Sequence, residues 1–177
     1  MNIGQIYLGV IQERFQAIKE LGDRTFAQLA HDQLHWSYNE DSNSIAVIIK
    51  HMSGNMVSRW TDFLTTDGEK PTRNRDDEFF DSFTLKEELI AVWEKGWQVF
   101  IDTLRGLTEE DLLKVVKIRG AQHTVIEAIE RQVAHYAMHV GQIVYIGKQL
   151  KGEEWETLSI PKGQSNAFTE AMMKEQK

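Results

Sequence analysis

Apolar residues recur at helical spacing in four long stretches of this chain, and little interrupts them: 177 residues hold only two prolines and 12 glycines. So few breakers alongside so much 3.6-residue periodicity confine the chain to an all-α architecture. Ile3, Ile6, Tyr7, Val10, Ile11, Phe15, Ile18 and Leu21 form the first apolar face, with Gly22 placed to end that helix as its C′ residue. Ser42-Asn43-Ser44 supplies N-caps for a second helix, whose Ile45, Ile48, Ile49, Met52, Met56, Trp60, Phe63 and Leu64 share a face before Asp67-Gly68. A third helix opens on the capping box Thr84-Leu85-Lys86-Glu87 and runs to about Leu104, with Gly106 behind it. The fourth opens on a second box, Thr124-Val125-Ile126-Glu127, and spans about Val125 to Leu150, closed by Gly152.

Weaker signals lie between. Thr25–Leu34 could form a short helix, and the alternation in Val115-Val116-Lys117-Ile118-Arg119 predicts a small hairpin or extended segment before the last helix. The charged stretch Glu69–Asp81, containing Pro71 and Arg73-Asn74-Arg75-Asp76-Asp77-Glu78, reads as a surface loop whose blandest role is connection. The polar tail beyond Trp155 shows no periodicity. Residues 1–177 are long enough for one domain with a real core, and four long helices in one domain predict a four-helix bundle.

Charge and composition remove several functions. There are 20 Lys and Arg against 27 Asp and Glu, a net charge of −7, and no basic cluster, which argues against binding nucleic acid or an anionic membrane. Cysteine is absent, so disulfides, thiolate-held metals and a protein thiol nucleophile are excluded, and any metal must be held by His and carboxylates. The start of the chain shows no signal-peptide pattern. The longest uncharged run, Gln132–Gly147, spans ~24 Å as a helix, short of the ~30 Å hydrocarbon core. It reads as a buried helix of a soluble, cytoplasmic protein.

That run carries His135 and His139, an HxxxH pair whose i,i+4 spacing puts both imidazoles on one helix face within reach of one metal ion. Tyr136 stands where a zinc protease has Glu, so the H-E-x-x-H chemistry does not apply. His51, in the middle of the second helix, can face the same interior, either as a third ligand or as a hydrogen-bonded core histidine. Asn55 shares its face, and Arg131 and Gln142 fall near the His135/His139 face, so these three could orient a ligand, a water or a substrate. His31 and His35 form another HxxxH pair in a short polar segment, where solvated histidines are the usual outcome. His123 precedes the fourth helix and reads as exposed.

Two segments carry a resemblance. Asn43-Ser44-Ile45-Ala46-Val47-Ile48-Ile49-Lys50-His51-Met52, together with Arg131 to Ile143 and above all Tyr136-x-x-His139-x-Gly141-Gln142-Ile143, resembles the DinB/YfiT-like metalloenzyme superfamily. The resemblance covers nearly the whole chain. It implies a four-helix bundle, often a homodimer, with one divalent metal held by His51, His135 and His139. Characterised relatives include transferases and an isomerase that use low-molecular-weight thiols. The tail Trp155–Gly163 and Gly141–Tyr145 place this sequence nearest an uncharacterised bacterial subgroup.

Three neutral imidazoles would leave a divalent ion, Zn or Ni foremost, its full charge and at least one open position. Bound water with a pKa near ~7, or a deprotonated small-molecule thiol, could then act as nucleophile. The sequence thus supports a metal-dependent hydrolase or thiol S-transferase acting on a small molecule. The alternative is a dimeric bundle that binds metal or a partner without turnover.

Overall fold

The computed structural model describes residues 2–175 and is mostly helical. Six α-helices appear in chain order: α1 (Ile3–Gln28), α2 (His31–Leu34), α3 (Ile45–Trp60), α4 (Lys86–Gly106), α5 (Val125–Lys151) and α6 (Ser165–Glu175). Between α4 and α5 lie two short strands, β1 (Val115–Ile118) and β2 (Ala121–Thr124), paired antiparallel around a turn at Arg119 and Gly120. The hairpin is therefore one of the two forms the alternation suggested. The four long helices pack on one another, α3 chiefly on α4 and α1 chiefly on α5, with further contacts between α3 and α5 and between α1 and α4.

The core between them is aromatic. Phe15, Trp60, Trp97, Phe100 and Tyr136 are all buried, and Tyr136 meets Phe15, Trp97 and Phe100 edge to face at centroid distances of 6.0, 5.6 and 5.3 Å. Such pairs add ~0.5–1.5 kcal/mol each beyond the burial of their area. The Tyr136 hydroxyl donates to Asn55 Oδ1 at 3.1 Å and accepts from Trp60 Nε1 at 3.2 Å, so its one polar atom is satisfied inside the core.

Several boundaries differ from the sequence reading. Gly22 does not end α1, which continues to Gln28. It is buried where a Cβ would lie 2.6 Å from Trp93 Cζ2, so the glycine admits the indole rather than stopping the helix. The Thr25–Leu34 segment is accordingly split between the end of α1 and the single turn of α2. Helix α3 is capped by Ser44, whose hydroxyl accepts from Val47 N at 3.2 Å, but it ends at Trp60, well before Gly68. The first residues of α4 are capped by Glu88, not Glu87: its carboxylate accepts from Thr84 N at 3.1 Å and Leu85 N at 3.2 Å. The Thr124–Glu127 box forms as written, with Glu127 N donating to Thr124 Oγ1 at 3.2 Å. The tail is not wholly irregular, since α6 forms there, although it buries none of its residues.

The connection from α3 to α4 is anchored along its length. Ser58 Oγ donates to Gly68 O at 3.1 Å and accepts from Lys70 N at 2.9 Å. Asp67 accepts from Arg119 N and Gly120 N at 2.8 and 2.7 Å, fastening the connection to the hairpin turn. Lys50 Nζ pairs with Asp77 at 2.9 Å and donates to Phe80 O at 3.0 Å. These ties hold the loop across the face of α3 that carries His51. Among the described residues no helix is long and apolar enough to cross a membrane.

Candidate metal centre

His51 projects from the middle of α3, and His135 and His139 project one turn apart from α5. Their Nε2 atoms converge: His51 to His135 at 3.4 Å and His139 to His135 at 3.1 Å. All three ligand atoms lie within 4.8 Å of one another. A tetrahedral ion with N ligands at ~2.0–2.1 Å holds those ligands ~3.3 Å apart, so the observed spacings suit one ion. His51 is buried and the other two are partly buried.

The opposite nitrogen of each ring decides where its proton sits. His51 Nδ1 donates to Glu78 Oε2 at 3.0 Å, His135 Nδ1 to Gln132 Oε1 at 3.2 Å, and His139 Nδ1 to Gln142 Oε1 at 2.8 Å. With Nδ1 protonated on every ring, all three Nε2 atoms present lone pairs to one another. Three acceptors facing a common point repel unless a cation or shared proton lies between them, and the outer hydrogen bonds also make each imidazole a better donor to metal. The chain thus provides three histidines that could hold a metal ion.

The electrostatics favour the neutral form of the two α5 rings. His135 is pushed down to about 3, mainly by burial and then by His139, His51 and the nearby arginines. Burial also lowers His139. Burial alone would raise Glu78, only 5% exposed, but hydrogen bonds from His51 and Arg73 and the Arg73 charge outweigh it and hold the carboxyl below its usual range. Arg73 grips both oxygens of Glu78 side-on, Nε donating to Oε1 at 2.7 Å and Nη2 to Oε2 at 2.8 Å.

Glu78 is the member the sequence reading missed, and it corrects the view of Glu69–Asp81 as mere connection. The segment turns one carboxylate inward onto His51 and stacks Phe79 on the same ring, with centroids 5.2 Å apart. Gly54, one turn after His51, makes the approach possible: a Cβ there would lie 2.7 Å from Glu78 Cδ. A glycine one turn beyond a candidate ligand signals that something approaches His51 there, but does not say which of Asp76, Asp77 and Glu78 it is. Gln132 was missed too, although it lies three residues before His135 on the same helix face.

Of the residues singled out beforehand, Gln142 contacts a histidine directly. Asn55 accepts the Tyr136 hydroxyl instead and lines a cavity of about 370 Å³ beside His51 and His135. Arg131 is exposed on the rim of that cavity. A second cavity of about 560 Å³ opens beyond Gln142, lined by Trp36, Tyr38, Ile48, Tyr145 and Ile146. His31 and His123 stand apart from the cluster, and His35 pairs with Asp81 at 2.6 Å.

The family pattern described as a protein of unknown function, DUF1572, matches residues 2–164. The chain belongs to the DUF1572 family. That match takes in every member of the histidine cluster and of the loop that supports it. A search of curated proteins finds no match.

Proposed function

We propose that this DUF1572 protein is a metal-dependent enzyme, a hydrolase or thiol S-transferase, built on a four-helix bundle of the DinB/YfiT-like kind. The observation that carries this reading is the convergence of three Nε2 lone pairs whose partner nitrogens are all committed to acceptors. A divalent ion with three neutral ligands keeps an open position and its full charge, and there it would supply a Lewis acid for a bound water or small-molecule thiol. Zn or Ni suits an all-imidazole set.

The chain's own residues do the rest. Glu78 and Arg73 fix the His51 ring, Gln132 and Gln142 fix the other two, and the cavity lined by His51 and His135 gives a small molecule access. A purely structural ion has its ligand shell closed by the protein; here three side chains converge beside open space, which favours a catalytic role. We also propose a homodimer: α6 buries none of its residues and exposes Phe168, Met172 and Met173, a face that a second copy would cover.

Metal analysis of protein purified without added metal, followed by Zn²⁺ and Ni²⁺ titration, tests the site. The expected result is one ion per chain, lost in His51→Ala. A panel of esters and of small thiols with electrophilic acceptors then tests catalysis, with turnover expected to vanish on chelation and return with metal. Stoichiometric metal without turnover on either panel would favour a non-catalytic metal-binding bundle. Sedimentation tests the dimer.

A further inference from the structure

The cavity beside His51 and His135 is lined by Arg59, Arg73, Arg75, Arg119 and Arg131, five of the chain's eight arginines, in a protein whose net charge is −7. Their compensation is incomplete. Glu78 is already taken by Arg73 and His51. A single oxygen, Glu69 Oε2, stands 3.1 Å from Arg119, 3.4 Å from Arg73 and 4.0 Å from Arg59. Arg75 and Arg131 have no carboxylate partner among the described residues. Two carboxylates therefore face five guanidinium groups.

Two buried donors sharpen the imbalance. Arg59 is 4% exposed and donates no hydrogen bond among the described residues, and its Nε is fully enclosed without an acceptor. Gln132, 1% exposed, uses its carbonyl to hold His135 and leaves Nε2 buried without an acceptor. A buried guanidinium lacking an acceptor is strongly disfavoured, and its ordinary resolution is an anion. Burial, together with the Arg131 and Arg73 charges, depresses the Arg59 pKa, as expected of a cation with too little negative charge around it.

We propose that this cavity binds the oxyanion group, carboxylate or phosphate, of an acidic small-molecule substrate and holds it beside His51 and His135. Guanidinium forks match both groups with paired hydrogen bonds. About 370 Å³ accommodates the charged end of a small metabolite rather than a macromolecule. The inference rests on the histidine cluster being the reaction centre, since it assigns the neighbouring space to that reaction's substrate.

The test is calorimetry on the full chain, in zinc-free and zinc-loaded form at fixed ionic strength, with inorganic phosphate, succinate and the neutral diamide succinamide. Phosphate or succinate is expected to bind in both forms, with succinamide at least about 10-fold weaker. Arg59→Gln is expected to weaken anion binding about 10-fold or more. Arg131→Ala, at an exposed position that leaves the core untouched, is expected to weaken it several-fold, and Arg14→Ala, exposed on α1 and outside the cavity lining, not at all. Anions binding no better than succinamide, or Arg131→Ala and Arg59→Gln binding as wild type does, would overturn the proposal. Zinc stoichiometry on the same samples separates the two readings: zinc without anion binding overturns this inference alone, and anion binding without zinc overturns the metal reading alone.

Discussion

The chain contains two HxxxH pairs with nearly the same ring geometry and different surroundings. His31 and His35 have ring centroids 4.4 Å apart, and His135 and His139 have theirs 4.7 Å apart. The first pair spans the one-turn helix α2 and the residue that caps its C-terminus, with His31 exposed, and His35 Nδ1 is spent on a hydrogen bond to Asp81 that fastens the α3–α4 connection. The second sits on a 27-residue helix, faces a third imidazole from α3, and has an acceptor behind every Nδ1. Helical spacing brings two imidazoles together. A metal site needs in addition a third ligand from another element and outer partners that fix each ring.

The largest effect that could break this contrast is loss of a ligand. His51→Ala and His135→Ala are each expected to weaken Zn²⁺ binding at least about 100-fold, whereas His31→Ala and His35→Ala change it less than about 2-fold, as read by competition with a chromophoric chelator. Next come the groups behind the rings: Glu78→Gln, or Gly54→Ala, which forces Glu78 off His51, is expected to cost roughly 10–100-fold in zinc affinity with the helical circular-dichroism signal unchanged. Asp81→Asn, the matching change at the other pair, leaves zinc affinity alone.

Smaller effects concern stability. Tyr136→Phe strands Asn55 Oδ1 and Trp60 Nε1 in the core and is expected to cost about 1–3 kcal/mol in urea unfolding. The smallest is a pH slope in the metal-free protein. His135 titrates at about 3 when folded and near ~6.5 when unfolded, so below ~6.5 the unfolded chain takes up a proton that the folded one refuses. Stability is therefore expected to decline as pH falls from about 6.5 toward 3, by at most roughly 1 kcal/mol per unit after solvent screening of a partly exposed ring. Urea unfolding at about pH 7 and pH 5 should show this slope, and His135→Asn should flatten it.

Much of the architecture was legible because long periodic segments leave little choice: the long helices, the Ser44 and Thr124 caps and the hairpin follow from local rules. Gly22 misled because a glycine after an apolar run can end a helix or admit a neighbouring ring, and only the presence of Trp93 across the interface decides. Two adjacent glutamates, Glu87 and Glu88, left the α4 cap ambiguous by one residue. Face and spacing put His135 with His139 and let His51 face the same interior, and the resemblance implied that the three converge. Glu78 was not, because it stands beside Asp76 and Asp77 in a charged run, and nothing local marks which of the three turns inward. That choice is made by Gly54 on α3 and by Arg73 five residues earlier, both of which act only once the chain is folded. The arginine cavity was hidden for the same reason: its members come from α3, the α3–α4 connection, the hairpin turn and α5, so no stretch of sequence looks basic.

The central claim is that His51, His135 and His139 hold one ion. Anomalous scattering at the zinc and nickel edges, on crystals of protein purified without added metal, tests it most directly. One peak per chain within ~2.0–2.2 Å of all three Nε2 atoms is the expected result. Full-length protein with no peak there, or with a metal bound by other residues while the three imidazoles stay together, would contradict it.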